Sequence, residues 1–214
     1  MSNLTIMGVD YAKTSKDYDA LKAKGIKFAM RYISHDPGKD LTLAEKKELH
    51  KRDIKIGVVF ETKAQRAIDG HAAGAADGAF ADERVKKLGL AGIPIYFAVD
   101  WDVADAQKTK VATYLKGVES VIGKTRTGVY GGYGIVKYVV EHDVCSWFWQ
   151  TYAWSGGHIH PSVHIHQYHN DATIGTMSVD LNHGSTTGFG ARGPVTSAAD
   201  QTPPAGEHAA LEQV

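Results

Sequence analysis

The alternation of short apolar runs with helical stretches over residues 4–143 constrains this chain more than any other feature. Runs at 4–10, 27–33, 54–61, 93–100 and 125–131 have the length and the β-branched and aromatic content of buried strands. The stretches between them carry helical spacing and their own punctuation. Ser15 is placed to cap the first helix, which runs through Tyr18 and Leu21 and stops at Gly25. Thr42 and Glu45 form a T-x-x-E capping box for the second. The third covers much of 64–88 and carries Gly70, Gly74 and Gly78 on one face. A helical glycine costs on the order of 1 kcal/mol relative to alanine, so a close helix–sheet approach is expected to compensate. The fourth sets Val111, Tyr114, Leu115, Val118 and Ile122 on one stripe and stops at Gly123. Such alternation predicts a parallel sheet with right-handed crossovers.

After residue 143 the rhythm changes. Strand-like runs at 147–152, 162–168 and 176–182 are separated by Ser-Gly-Gly and His-Asn-Asp turn signals, too short for crossover helices. The expected fold is therefore α/β, a TIM-like barrel of eight strands in which five βα units precede three short-linked strands. An open doubly wound sheet with a β-hairpin appendage is the alternative. From Ser185 onward the chain holds little but small, polar, Gly and Pro residues, which reads as a flexible linker or tail. The expected organisation is a barrel over 1–184 and a tail over 185–214.

Lys plus Arg number 24 and Asp plus Glu number 24, so the formal net charge is zero. That balance gives no electrostatic case for nucleic acid or an anionic membrane as partner. The lone Cys145, between Val144 and Ser146, excludes an internal disulfide and reads as a small buried apolar residue. The opening MSNLTIMGVDY has neither the basic nor the apolar region of a standard secretory signal, and no run is long enough to cross a bilayer. The expectation is a soluble monomer that stays cytoplasmic unless something else, such as a phage holin, releases it.

Carboxylates gather where the predicted strands end: Asp10, Glu61, the pair Asp100 and Asp102, and Asp180. Asp and Glu are disfavoured within strands, and the C-terminal strand ends of a β/α barrel form its active face. Residues two apart on a strand share a face about 6.5 Å apart. Tyr96, Ala98, Asp100 and Asp102 are thus expected to point inward together, with mutual repulsion raising one acid's pKa. One protonated acid beside one ionised carboxylate is the equipment for cleaving a glycosidic bond. Helix capping, or pairing with Arg31, is the simpler explanation for any one of these acids. Aromatics at or near strand ends, among them Tyr11, Tyr130, Trp149, Tyr152, Trp154 and Tyr168, suit a saccharide cleft, because sugar faces stack on such rings. The segment HIHPSVHIHQYH offers His164 and His166 as metal ligands with Asp180. No H-E-x-x-H or paired-Cys pattern supports a metal, and surface histidines account for the cluster.

Seven motifs then recur in one order: GVDYA, FAMRYIS, YFAVDWD, GVYGGY, FWQTYAW, HIHQY and VDLN. Together they resemble the lysozymes of glycoside hydrolase family 25. They resemble more closely the related glycoside-hydrolase-like domain of actinobacterial secreted proteins and phage lysins. The resemblance covers about residues 4–183 and implies a barrel of five βα units plus three short-linked strands. It implies cleavage of the MurNAc–GlcNAc β-1,4 bond of peptidoglycan, with no cofactor and with the substrate's N-acetyl group as nucleophile. The family's first-strand aspartate falls on Asp10, its strand-four pair on Asp100 and Asp102, and its last-strand aspartate on Asp180. Arg31, Tyr130, Trp149, Tyr152, Gln167 and Tyr168 are the expected substrate-binding residues beside Asp180. The lysozymes carry D-x-E where this chain has D-W-D. Asp102 is one methylene shorter than glutamate and has a lower reference pKa, so Glu61 is the other candidate acid. If neither serves, the domain binds cell-wall glycan without cutting it.

Overall fold

In the computed structural model, which describes residues 3–194, eight strands close into one barrel in sequence order. They are β1 (Leu4–Tyr11), β2 (Phe28–Ile33), β3 (Lys55–Phe60), β4 (Ile95–Ala98), β5 (Thr127–Gly131), β6 (Trp147–Thr151), β7 (Ile165–Ile174) and β8 (Met177–Ser185). Pairing is parallel from β1 to β7, whereas β8 runs antiparallel to both β7 and β1. The helices are α1 (Tyr18–Ala23), α2 (Leu43–Lys51), α3 (Gly70–Lys87), α4 (Asp105–Ile122) and α5 (Tyr133–Glu141). One follows each of the first five strands, as the rhythm of the sequence predicts, and the open-sheet alternative falls.

Two apolar layers follow from the strand alternation. Outward-facing Val9, Ala29, Ile56, Val58, Phe97 and Val129 join Leu21, Leu49, Val85, Leu115 and Val136 in a core between barrel and helices. Inward-facing Phe28, Met30, Tyr96, Trp149 and Ile165 fill the barrel together with Phe189. Residues 186–192, inside the segment read as tail, run under the N-terminal ends of the strands. The Phe189 ring meets Phe28 at 4.4 Å. The Tyr96 hydroxyl donates to the Phe189 carbonyl at 3.0 Å, and Arg192 bridges to Ile56. Gly8 lets the Phe28 ring in, since a Cβ there would overlap it. The barrel interior is thus plugged at the end where its parallel strands begin. The remainder of the expected tail, residues 195–214, lies outside the described residues.

Three local expectations change. Asp17, not Ser15, caps α1, accepting from the Ala20 amide at 3.1 Å, while the Ser15 hydroxyl reaches Thr176. Thr42 caps α2 through the Glu45 amide at 3.1 Å, but the Glu45 carboxylate turns away to Arg31. Gly74 and Gly78 serve a helix–helix contact: a Cβ at Gly74 would overlap the Tyr114 carbonyl of α4, and one at Gly117 the His71 carbonyl of α3. Gly70 opens α3 with φ +82° and takes no part in that contact.

Candidate active site

At the open end, β1 and β8 lie side by side with Asp10 directly opposite Asp180. Asp180 is near the start of its strand, and it reaches the cleft because β8 is antiparallel. Asp10 is 2% exposed. Its Oδ1 accepts two amide hydrogens, from Asn182 Nδ2 at 2.7 Å and from Gln167 Nε2 at 3.0 Å. The same Gln167 nitrogen donates to Asp180 Oδ2 at 3.2 Å, and Asp180 Oδ1 accepts from the Asp171 amide at 2.9 Å. Each amide side chain is oriented by an aromatic donor. The Tyr130 hydroxyl donates to Gln167 Oε1 at 2.9 Å, and Trp149 Nε1 to Asn182 Oδ1 at 2.9 Å.

Burial, with Asp180 beside it, pushes the Asp10 carboxyl up to about 7; the two amide donors and Arg31 act in the opposite direction. The Asp180 carboxyl is also raised, chiefly by burial. Asp100 sits just past β4 and is half-buried. Burial raises its carboxyl, Glu61 and Asp180 add to the rise, and Lys39 opposes it. Glu61 is held by Lys39 at 2.7 Å, and the Lys39 ammonium lies 4.8 Å over the Tyr32 ring. Half-buried Tyr32 faces Asp10, Glu61, Asp100 and Tyr130, and its hydroxyl is held well above the usual phenol range by loss of solvent and by those acids. Asp10, Asp100, Asp180 and Glu61 therefore gather at the open end of the barrel, within electrostatic reach of one another.

Other expected site residues are placed differently. Asp102 is exposed on the loop after β4, with no hydrogen bond or ion pair among the described residues. The strand ends at Ala98, so the inward alternation expected for Asp100 and Asp102 does not continue that far. Asp100 instead feels Glu61 and Asp180. Arg31, expected to bind substrate, is 1% exposed and faces α2. Its Nε and Nη2 donate to Glu45 at 2.7 and 3.2 Å, Nη1 to the Tyr11 carbonyl, and Nη2 also to the Lys39 carbonyl at 3.1 Å. Four of its five donors are thus spent on the fold. Trp149 is 1% exposed, so it supports Asn182 from below and offers no face for stacking. Tyr168 stacks on His183 at 4.3 Å, on the side of β7 opposite Gln167. Tyr152, 46% exposed, does stand at the end of β6, and Trp154, 44% exposed with φ +55°, follows it.

The histidines do not converge. His164 stacks on Trp147 and Phe148, and His166 lies opposite His183, away from Asp180's cleft. Among the described residues no group of three His, Cys, Asp or Glu side chains is placed to hold a metal ion. Cys145 is buried and its thiol is pushed up to about 12, as befits a packing residue. A hollow of about 770 Å³ at the plugged end is lined by Lys55, Pro94, Trp147 and Arg192, and by none of the strand-end acids.

Asn182, Lys39 and Tyr32 were not singled out by sequence. Asn182 had a signal: in VDLN it is two residues from Asp180, hence on the same strand face. Lys39 comes from a loop and could not be placed.

A family model for the Rv2525c-like, glycoside hydrolase-like domain matches residues 19–183. The proposed peptidoglycan hydrolase Rv2525c of Mycobacterium tuberculosis is 30% identical over 190 residues, covering 81% of this chain and 78% of that protein. The crystal structure of that organism's Tat-secreted protein Rv2525c, in complex with L-tartrate, matches with 29% identity and a TM-score of 0.81. It covers 88% of this chain and 99% of the other. A family 25 glycosyl hydrolase from Bacillus anthracis shares the fold at 17% identity and TM-score 0.59, covering 86% of this chain and 90% of the other. The expectation of a cytoplasmic protein awaiting a holin is corrected by the second of these. That relative is Tat-secreted, which points to export. No helix among the described residues is long and apolar enough to cross a membrane. The chain belongs to the Rv2525c-like, glycoside hydrolase-like domain family.

Proposed function

We propose that this protein is a peptidoglycan hydrolase of lysozyme type, cutting the β-1,4 bond between MurNAc and GlcNAc. The observation that carries the reading is a buried carboxyl at the open barrel end, Asp10, whose pKa stands near 7 beside two further acids, Asp100 and Asp180. Glycosidic cleavage needs a group still protonated at working pH and a negative charge to meet the cation forming at the sugar's C1. Asp10 suits the first role. Asp100, with Asp180, suits the second. The relative proposed as a peptidoglycan hydrolase and the family 25 fold support the choice of substrate. Tyr152 and Trp154, exposed at the rim, offer rings on which sugars stack.

A second reading keeps the cleft and drops the chemistry. It is favoured by the D-W-D sequence and by the Lys39 bridge that occupies Glu61. In that reading the protein is a cell-wall glycan-binding module.

The two are separated by incubating the protein with purified cell walls and reading the soluble products by mass spectrometry. The hydrolase reading expects fragments with new reducing-end MurNAc. It expects Asp100→Asn to release them about 10²–10⁴-fold more slowly. Sedimentation with the wall and no soluble fragment would establish the binding module.

A further inference from the structure

Two side-chain amides in this cleft are aimed at a single oxygen atom. Gln167 and Asn182 come from different strands, and each spends an N–H on Asp10 Oδ1. An amide can turn over and present its oxygen instead, but here Gln167 has its nitrogen on two carboxylates, Asp10 and Asp180, and each amide oxygen accepts from an aromatic donor. The Tyr130 hydroxyl donates to Gln167 Oε1, and the Trp149 indole N–H, which can only donate, holds Asn182 Oδ1. Asp10 Oδ2 has no hydrogen-bond partner among the described residues. An oxygen that already accepts two N–H bonds is a poor place for a proton, because the proton would face two donors. A proton on this carboxyl therefore resides on Oδ2.

We propose that Gln167 and Asn182 are positioning residues, locked by Tyr130 and Trp149, which reserve Oδ2 of Asp10 to carry and deliver the proton in glycosidic cleavage. The proposal rests on the hydrolase reading above. In the first step the Oδ2 proton moves to the glycosidic oxygen. The C1–O bond breaks, its electron pair stays with that oxygen, and the leaving sugar departs as an alcohol. Asp10 is left ionised, with its charge held by the two N–H donors on Oδ1. Water then adds its oxygen to C1 and returns a proton to Asp10, so the enzyme is unchanged and one water is consumed.

The groups that face Asp10 set the signs of its titration. Asp180 of β8 raises its pKa, and Arg31 of β2 and the two amide donors lower it. Tyr32 of β2 and Tyr130 of β5 face it with hydroxyls held neutral by burial. Removing a donor should thus move the Asp10 titration up, and neutralising Asp180 should move it down.

The test is infrared difference spectroscopy of the unliganded full chain, titrated from about pH 5 to about pH 9 so that the span brackets the raised pKa. The protonated-carboxyl carbonyl band should titrate near neutrality and vanish in Asp10→Asn. Gln167→Met should shift the titration upward by about one pH unit and Asp180→Asn downward by a similar amount. Tyr130→Phe, which keeps the ring and frees the Gln167 amide to turn, should also shift it upward and should lower kcat with KM little changed. A purely structural role for these residues would move neither titration nor kcat in that pattern. Absence of the band, or its persistence in Asp10→Asn, overturns the proposal even if walls are digested. The band with its opposed shifts but no muropeptide release would uphold the proton placement and retire the hydrolase reading with the delivery step.

Discussion

Asp10→Asn is expected to stabilise the protein in mild alkali while abolishing wall digestion. In the fold the Asp10 carboxyl titrates at about 7, against an ordinary value of 3.8. Below pH 3.8 it is protonated whether folded or unfolded, and its burial carries no ionic cost. As pH rises toward 7 the unfolded chain loses the proton while the folded one keeps it, and stability falls. Above 7 the folded state must hold a buried carboxylate, and the loss is complete. One pKa unit corresponds to about 1.4 kcal/mol, so the cost at pH 8 is on the order of 4 kcal/mol. Asparagine copies the protonated acid: its oxygen can accept from Gln167 and Asn182, and its NH₂ stands where the O–H stood. Thermal unfolding at pH 8 should therefore show Asp10→Asn melting on the order of 10 °C above the native protein, since each kcal/mol moves a domain of this size by a few degrees. At pH 4 the two should nearly coincide. A variant less stable than the native protein at both pH values would mean that the fold wants the charge.

The second large effect concerns Arg31, whose guanidinium is buried between β2 and α2 against Glu45. It also lies 4.3 Å from the Tyr11 ring, whose hydroxyl donates to Glu45 at 2.9 Å. Removing one partner of such a pair strands the other charge in a low-dielectric site, which typically costs about 3–5 kcal/mol. Glu45→Ala should lose that much in urea unfolding. The double replacement Arg31→Met with Glu45→Leu should recover most of it, because the buried ion pair is gone and the remaining partner of Glu45, Lys16 at 3.5 Å, reaches solvent. If Arg31→Met raised KM for wall substrate and left the unfolding midpoint unmoved, Arg31 would be a binding residue after all.

Arg31 shows where sequence reasoning stops. On the strand pattern it occupies a slot one residue from Met30, and alternation puts one of the two inside the barrel and the other outside. Met30 is the inner one, and the partner that explains a buried arginine, Glu45, lies on a helix 14 residues away. The strands and helices were legible because each is written in local periodicity. Asp10, Gln167 and Asp180 could be placed at one end of the barrel because strand ends are local too. Asp102 could not, since β4 stops four residues before it and the loop leaves the inward alternation. The role of Trp149 was hidden for a different reason. An aromatic at a strand end reads equally as a stacking surface or as filler, and only the Asn182 contact decides that it braces the site from beneath. Gly74 and Gly117 likewise meet across α3 and α4, a contact no single helix announces.

If the acids at the open end of this barrel hydrolyse a glycosidic bond, an oxygen from water ends on the new reducing sugar. Digesting purified cell wall in heavy-oxygen water and weighing the released fragments reads that oxygen. Each new reducing-end MurNAc should carry one heavy oxygen, and Asp10→Asn should release none above background. Unlabelled or anhydro ends, or no released fragments from wall that the protein demonstrably binds, would contradict hydrolysis.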